Sequence, residues 1–212
     1  IAADEKYQDI LLVKETRIRL NGREKRTVRL KGYCCQLNDL SPPEKMLFTF
    51  SENADSGLVA LAKFLNMNEF SDSMEQDAVW ALSDNRPTAS VAYIVDSINT
   101  RLLELVSVLK NEPLPWYSFE SIRQVTRNGA IHIYPESVKG NLKYDLEKTA
   151  YGSLQLLDTA GIPVVIVKEQ WLDPGQGIDF EMTFSARGLQ KGEYTVVLKA
   201  GKTTLVKKTI EI

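Results

Sequence analysis

The sequence contains very few of the residues that bind transition metals. It has one histidine, His132, and two cysteines, Cys34 and Cys35, among 212 residues. This argues against zinc sites, which need several His and Cys ligands. The two cysteines are adjacent, so their Cα atoms lie about 3.8 Å apart, below the usual range for a disulfide. We therefore expect two thiols, or one thiol and one modified cysteine, with neither a metal nor a cofactor.

The sequence also lacks an excess of charge of one sign and long hydrophobic runs. Lys and Arg total 26 and Asp and Glu 28, for a net charge of -2. A dedicated nucleic-acid-binding protein usually has a basic excess, so we expect no nucleic acid as a partner of this chain. No apolar run approaches the roughly 18 residues of a transmembrane helix. Hydrophobic residues make up 43% and charged residues 25%, which is typical of a globular protein with one large domain or two small ones.

The first 112 residues predict an α+β domain that begins with a β hairpin. Segments 16–20 and 27–30 alternate polar and apolar residues on either side of Asn21-Gly22, a strong hairpin signal. The second segment leads on to Gly32-Tyr33-Cys34, and a strand is expected to end at Cys34. The hairpin is basic, and we interpret its charges as a solvated face that could also contact an acidic glycan or lipid headgroup. These charges are Arg17, Arg19, Arg23, Lys25, Arg26 and Arg29.

Three helices are predicted after Ser41-Pro42-Pro43. The first follows the cap candidates Asn53 and Asp55 and has an apolar stripe at helical spacing. That stripe consists of Leu58, Leu61, Ala62 and Leu65. A capping box beginning at Asp72 starts the second helix, through Leu82, and residues 90–110 form the third and longest.

Residues 126–212 predict an all-β sandwich, after a linker at 113–125 that starts with Pro113. Seven strand-like segments alternate with turn signals, one of them Lys139-Gly140-Asn141. The strands are expected at 130–134, 142–146, 152–157, 164–167, 179–184, 193–198 and 204–210.

The second half contains three short patterns that are typical of one kind of module. They are residues 154–161 (Leu-Gln-Leu-Leu-Asp-Thr-Ala-Gly), 184–189 and 191–198, followed by a terminal strand at 204–210. Residues 139–212 thereby resemble the small immunoglobulin-like module at the C-termini of many secreted bacterial proteins. Relatives of that module include the type IX secretion sorting domain and the flagellar hook-capping protein. The resemblance implies a secreted or cell-envelope location and no chemistry.

The first half contains Tyr33-Cys34 at a strand end and Gln76-Asp77-Ala78-Val79-Trp80 on the second helix. This pair resembles the signature of bacterial thioester domains, which occur in surface adhesins. The family resemblance implies that the Gln76 side chain acylates the Cys34 thiol, with loss of ammonia. An amine on a partner surface then attacks the thioester. The sequence departs from the family in having Glu75, not an apolar residue, before the glutamine, and in a short interval between the two motifs.

The thioester chemistry sets two further expectations. The thiol attacks as a thiolate, so the pKa of Cys34 should be lowered. Helix N-termini lower the pKa of nearby thiols, and Gln76 lies in the first turns of its helix. Trp80 lies four residues after Gln76, on the same helical face, and is expected to pack near the bond and shield it from water. Tyr33 and Trp80 are thus supporting residues, and Cys34 and Gln76 the thioester candidates.

Other interpretations of the same residues remain open. Cys34 could be a small buried hydrophobe, with Gln76 as an exposed helix residue. Cys34 or Cys35 could pair with His132 as a cysteine hydrolase, although a strand histidine more often faces solvent. The carboxylates Asp72, Glu75 and Asp77 are interpreted as helix capping and solubility.

We therefore predict a non-enzymatic binding or adhesion protein, secreted or in the cell envelope, whose partner is a surface protein or glycan of a host or neighbouring cell. The alternative is a structural or export module that forms no thioester.

Overall fold

The computed structural model describes residues 1, 5–50, 53–91 and 97–212. These residues form two compact units. The first comprises Ile1–Leu114 together with Arg123–Ile133, and the second comprises Pro115–Ile122 together with Tyr134–Ile212. None of the helices in the described residues is long and apolar enough to span a membrane.

Two short strands and three α-helices build the first unit. Strands β1 (Ile10–Leu12) and β2 (Gly32–Cys34) pair antiparallel, with Leu11 opposite Tyr33. The helices are α1 (Ser56–Met67), α2 (Asp72–Ser83) and α3 (Ser97–Lys110), with a 3-10 turn at Thr88–Ser90 before α3. The predictions of three helices and of a strand ending at Cys34 are confirmed.

The helix ends follow the sequence signals with one shift. Asp55 caps α1 by accepting hydrogen bonds from the backbone N–H groups of Gly57 (2.8 Å) and Leu58 (3.0 Å). The cap of α2 is Ser71, not Asp72, because its hydroxyl accepts from Met74 N–H. The predicted third helix from Ser90 is divided. A 3-10 turn ends at Ser90 and α3 begins at Ser97, while residues 92–96 lie outside the described residues.

An apolar core joins the helices of the first unit. Leu61 of α1, Val79 of α2 and Leu102 of α3 are fully buried in one cluster. The predicted α1 stripe is buried as expected, with all four of its members at 8% exposure or less. Burial of this kind stabilises by about 25 cal/mol per Å² of apolar surface and fixes where α2 lies.

The predicted hairpin around Asn21-Gly22 does not form strands. Residues 14–31, called the basic loop below, are exposed at all positions but one and have no regular structure beyond a turn in which Glu24 N–H donates to the Asn21 carbonyl (3.0 Å). Ile18 and Leu20 stay 43% and 55% exposed. A two-stranded hairpin with no surface to pack on has marginal stability in water, so the alternating pattern alone does not suffice to form strands here.

Seven strands follow from residue 117, in two antiparallel sheets. One has the order β3-β4-β7 and the other β6-β5-β8-β9. The bounds are β3 Tyr117–Val125, β4 Ile131–Leu146, β5 Ala150–Leu157, β6 Pro163–Leu172, β7 Gly175–Ser185, β8 Glu193–Ala200 and β9 Thr203–Glu211. Burial alternates along β5, along most of β7 and in the last part of β4, so each sheet has one apolar face, which is compatible with a sandwich.

Two parts of the second half differ from the sequence prediction. The segment expected as a linker contains β3, and the two predicted strands at 130–134 and 142–146 are one strand, β4. The expected turn at Lys139-Gly140-Asn141 is absent because Gly140 pairs with Met182 within the sheet. A Cβ at position 140 would lie 3.1 Å from both the Met182 methyl and the Trp116 ring. The glycine therefore provides space and does not turn the chain.

Gly32 offers a test of the β1–β2 pair that carries Cys34. A Cβ at this position would lie 2.6 Å from Ile10 Cγ2 and 3.0 Å from the Leu11 carbonyl oxygen. We expect Gly32→Ala to lower the free energy of unfolding by about 1–3 kcal/mol through overpacking. Gly22→Ala is the matched control, since nothing lies within 4 Å of its Cβ position. Denaturant unfolding of both variants measures this, and equal stabilities would contradict the packing described.

Candidate functional site

The side chain of Gln76 on α2 is hydrogen-bonded twice to the backbone of Cys34 on β2. Cys34 N–H donates to Gln76 Oε1 (3.0 Å), and Gln76 Nε2 donates to the Cys34 carbonyl (2.8 Å). The two motifs, 42 residues apart in sequence, therefore meet in the first unit. The carboxamide is held against the residue that bears the thiol.

The strand pairing explains why these backbone groups are open to a side chain. Cys35 N–H donates to the Asp9 carbonyl (2.8 Å) and Val13 N–H to the Lys31 carbonyl (3.3 Å), both across the β1–β2 pair. Backbone groups alternate in direction along a strand, so those of Cys34 point away from β1. Gln76 thus occupies the free edge of β2, where it supplies the donor and acceptor that another strand would supply.

The preceding residues on both elements form a second contact. The Glu75 side chain is fully buried, and Tyr33 Oη donates to its carboxylate (2.6 Å). Lys31 Nζ lies 2.9 Å from the same carboxylate. Burial and the hydrogen bond to Glu75 raise the pKa of Tyr33 well above its ordinary value, so the hydroxyl keeps its proton and remains a donor.

The interpretation of Glu75 as a capping and solubilising residue is therefore wrong. A buried carboxylate is tolerated only when it is paired and hydrogen-bonded, and Tyr33 and Lys31 meet that requirement. One signal in the sequence pointed to this burial: position 75 is apolar in the family that the motif resembles. Nothing in the sequence pointed to Lys31 as the counter-ion.

The environment of the thiols differs from the expectation of a lowered pKa. Both cysteines are free, Cys34 half-buried and Cys35 buried in the apolar core. Burial raises the pKa of the Cys34 thiol. Burial also raises the pKa of Cys35 to about 11, and the negative charge of Asp84 adds to this. The expected lowering of the Cys34 pKa is therefore wrong, because burial acts in the opposite direction.

The residues after Gln76 form an ionic cluster around Trp80. Asp77 pairs with Arg86 (2.9 Å) and with Arg123, whose guanidinium lies 5.1 Å from the Trp80 ring centroid. Burial raises the pKa of Asp77, although both arginines act in the opposite direction. Trp80 is 2% exposed, and its indole N–H has no hydrogen-bond partner among the described residues. Its shielding of a Cys34–Gln76 bond stays a prediction.

An open depression of about 490 Å³ lies beside the contact between Gln76 and Cys34 and is open to solvent. Gln76 lies in its wall, while Cys34 is not part of the lining. The remaining lining residues are Leu30, Lys31, Gly32, Tyr33, Asp72, Ser73 and Arg123. A molecule in the depression would therefore meet the Gln76 side chain next to Gly32 and Tyr33 of β2.

His132 lies on β4, in the part of that strand that belongs to the first unit, and its side chain is exposed. Its pairing with a cysteine stays a prediction.

Comparison with known proteins adds little. No family model matches the sequence, and no curated protein does. Among solved structures, β-glucosidase 3B from Thermotoga neapolitana, determined in complex with α-D-glucose, matches with 15% identity and a TM-score of 0.28. The match covers 45% of this chain and 16% of the glucosidase. A similarity this weak carries no argument about fold or activity.

The Tyr33–Glu75 hydrogen bond can be tested by Tyr33→Phe. The substitution removes the donor to a buried carboxylate, so we expect the free energy of unfolding to fall by about 1–3 kcal/mol. Tyr7→Phe is the control, because it makes the same change at a half-buried tyrosine whose backbone forms an isolated β-bridge with Leu40. Denaturant unfolding measures both variants. If Tyr33→Phe costs no more than Tyr7→Phe, Glu75 does not depend on this hydroxyl.

Proposed function

We propose that this chain is a secreted or cell-envelope binding protein whose first unit forms an internal thioester between Cys34 and Gln76. It then attaches covalently to a partner surface that carries an amine. The observation that carries the proposal is the double hydrogen bond between the Gln76 side chain and the Cys34 backbone. The resemblance of the two motifs to bacterial thioester domains supplies the chemistry.

The hydrogen bonds favour acylation of the thiol. As Cys34 Sγ attacks Gln76 Cδ, negative charge develops on Oε1, which already accepts the Cys34 N–H. A backbone donor in that position stabilises an oxyanion. The Sγ–Cδ bond forms and the Cδ–Nε2 bond breaks, and the nitrogen leaves as ammonia with the proton of the thiol. The raised pKa of Cys34 slows formation of the thiolate, yet it also keeps on the sulfur the proton that the leaving nitrogen needs.

Attachment reverses the roles of sulfur and nitrogen. A neutral amine of the partner attacks Gln76 Cδ, the Cδ–Sγ bond breaks, and its electron pair goes to Sγ. The amine proton passes to the sulfur, so Cys34 becomes a free thiol and Gln76 is joined to the partner through an amide. No oxidant or cofactor is consumed.

For the second unit we propose an immunoglobulin-like sandwich. Two antiparallel sheets with one apolar face each support this assignment, as does the resemblance of residues 139–212 to C-terminal modules of secreted bacterial proteins. The unit would serve for export or anchoring and contribute no chemistry.

A second candidate function is a structural module without a thioester. One observation favours it: the Gln76 amide, as it stands, already satisfies both backbone groups of Cys34. Loss of ammonia would remove the donor to the Cys34 carbonyl. In this case Gln76 closes the free edge of β2, and Cys34 contributes only packing.

Intact-protein mass spectrometry distinguishes the two. The thioester predicts a native mass lighter by one ammonia than the sequence requires, and conversion by methylamine to an adduct with a newly free thiol. Cys34→Ala should abolish both effects. It leaves the Gln76 hydrogen bonds in place, because they go to the backbone.

Cys35→Ala is the matched control and should retain the mass deficit, since Cys35 is the neighbouring cysteine in the core. Gln76→Glu should lose it, because its carboxylate has no ammonia to release. A wild-type mass equal to that of the plain sequence, with two thiols that alkylate after denaturation, would contradict the thioester and favour the structural module.

A further inference from the structure

The charge of the basic loop is unlike that of the rest of the chain. Residues 14–31 contain eight of the 26 Lys and Arg residues and only two carboxylates, in a chain whose net charge is -2. The loop is exposed along almost its whole length. A local excess of this size creates a positive potential over the nearby surface and raises the local concentration of negatively charged partners.

Few of these charges are used within the protein. Glu15 pairs with Arg17 (3.0 Å), and Glu24 accepts from the Asn21 backbone and side chain in its own turn. Lys31 pairs with the buried Glu75. The other basic residues of the loop have no carboxylate partner among the described residues. These residues are Lys14, Arg19, Arg23, Lys25, Arg26 and Arg29.

The loop ends at the candidate site. Leu30 and Lys31 line the depression that Gln76 also lines, and Arg123 lies in the same wall. Asp72 is the one carboxylate in that lining. Within this lining Lys31 and Arg123 are already paired with Glu75 and Asp77, so the positive charge offered to a partner comes from the unpaired cations of the adjoining basic loop. Guanidinium groups bind carboxylates in a bidentate geometry.

We propose that the basic loop selects the partner: the amine that reacts with Gln76 belongs to a lysine surrounded by Asp and Glu residues on a partner protein. This inference rests on the proposed thioester and names its substrate class. The acidic neighbours bring the lysine to the depression, where the neutral fraction of its amine attacks Gln76 Cδ. A lysine among basic residues would be repelled.

The test compares two N-acetylated peptides that have the same length and one central lysine. One places aspartates around the lysine and the other arginines. The thioester form of the full chain is mixed with each peptide, and adduct formation is followed by intact mass. We expect the acidic peptide to react about 10-fold faster or more at low salt, with the ratio falling as salt is added.

Charge removal in the loop supplies the matched variants. In the triple variant Arg19→Gln, Arg23→Gln, Arg26→Gln, the two peptides should react at similar rates. Lys191→Gln, Lys202→Gln, Lys207→Gln removes the same charge from exposed positions of the second unit and should keep the preference. Methylamine should react equally with all three proteins, because its reactive form is neutral.

The outcomes separate this inference from the proposed function. If methylamine forms an adduct but the two peptides react at equal rates, the proposed partner is wrong and the thioester stands. If the loop variant retains the preference for the acidic peptide, the basic loop does not select the partner and this inference is wrong. If methylamine forms no adduct, both proposals are overturned.

Discussion

Packing of α2 against the free edge of β2 is the constraint on which the first unit depends. Two consecutive pairs hold it: Gln76 with the backbone of Cys34, and Glu75 with Tyr33 and Lys31. A shift of α2 by one residue would leave two backbone groups and a buried carboxylate without partners. Each unpaired polar group costs about 1–3 kcal/mol, and a buried charge costs more. The apolar core fixes where the helix lies, and these pairs fix which residue faces the thiol.

Charge is arranged around this contact so that the glutamine itself lies between two compensated carboxylates. Glu75 precedes Gln76 and is neutralised by Lys31, while Asp77 follows it and is neutralised by Arg86 and Arg123. Neither carboxylate is left to repel an acidic partner. The unpaired cations of the basic loop are the charges that we propose select the partner, which connects the local ion pairs to that choice.

Local signals in the sequence predicted the parts of the fold that depend on local physics. The α1 stripe and its Asp55 cap follow from helical spacing and from the need to satisfy N-terminal N–H groups, and both are present. The motif also named Cys34 and Gln76, which the structure places in hydrogen-bond contact, although the thioester stays a prediction. The absence of a hairpin in the basic loop, the absence of a turn at Gly140 and the burial of Glu75 could not be derived from the sequence. Each depends on tertiary neighbours: a surface to pack on, the Trp116 ring, and the Lys31 ammonium.

The central claim is that the contact between β2 and α2 exists for a covalent bond. An atomic-resolution crystal structure of the protein, purified without amines or reducing agents, tests it most directly. The account predicts continuous electron density from Cys34 Sγ to Gln76 Cδ, with the carbonyl oxygen still bound to Cys34 N–H and no density for Nε2. A separate thiol beside an intact carboxamide that still donates to the Cys34 carbonyl would contradict it.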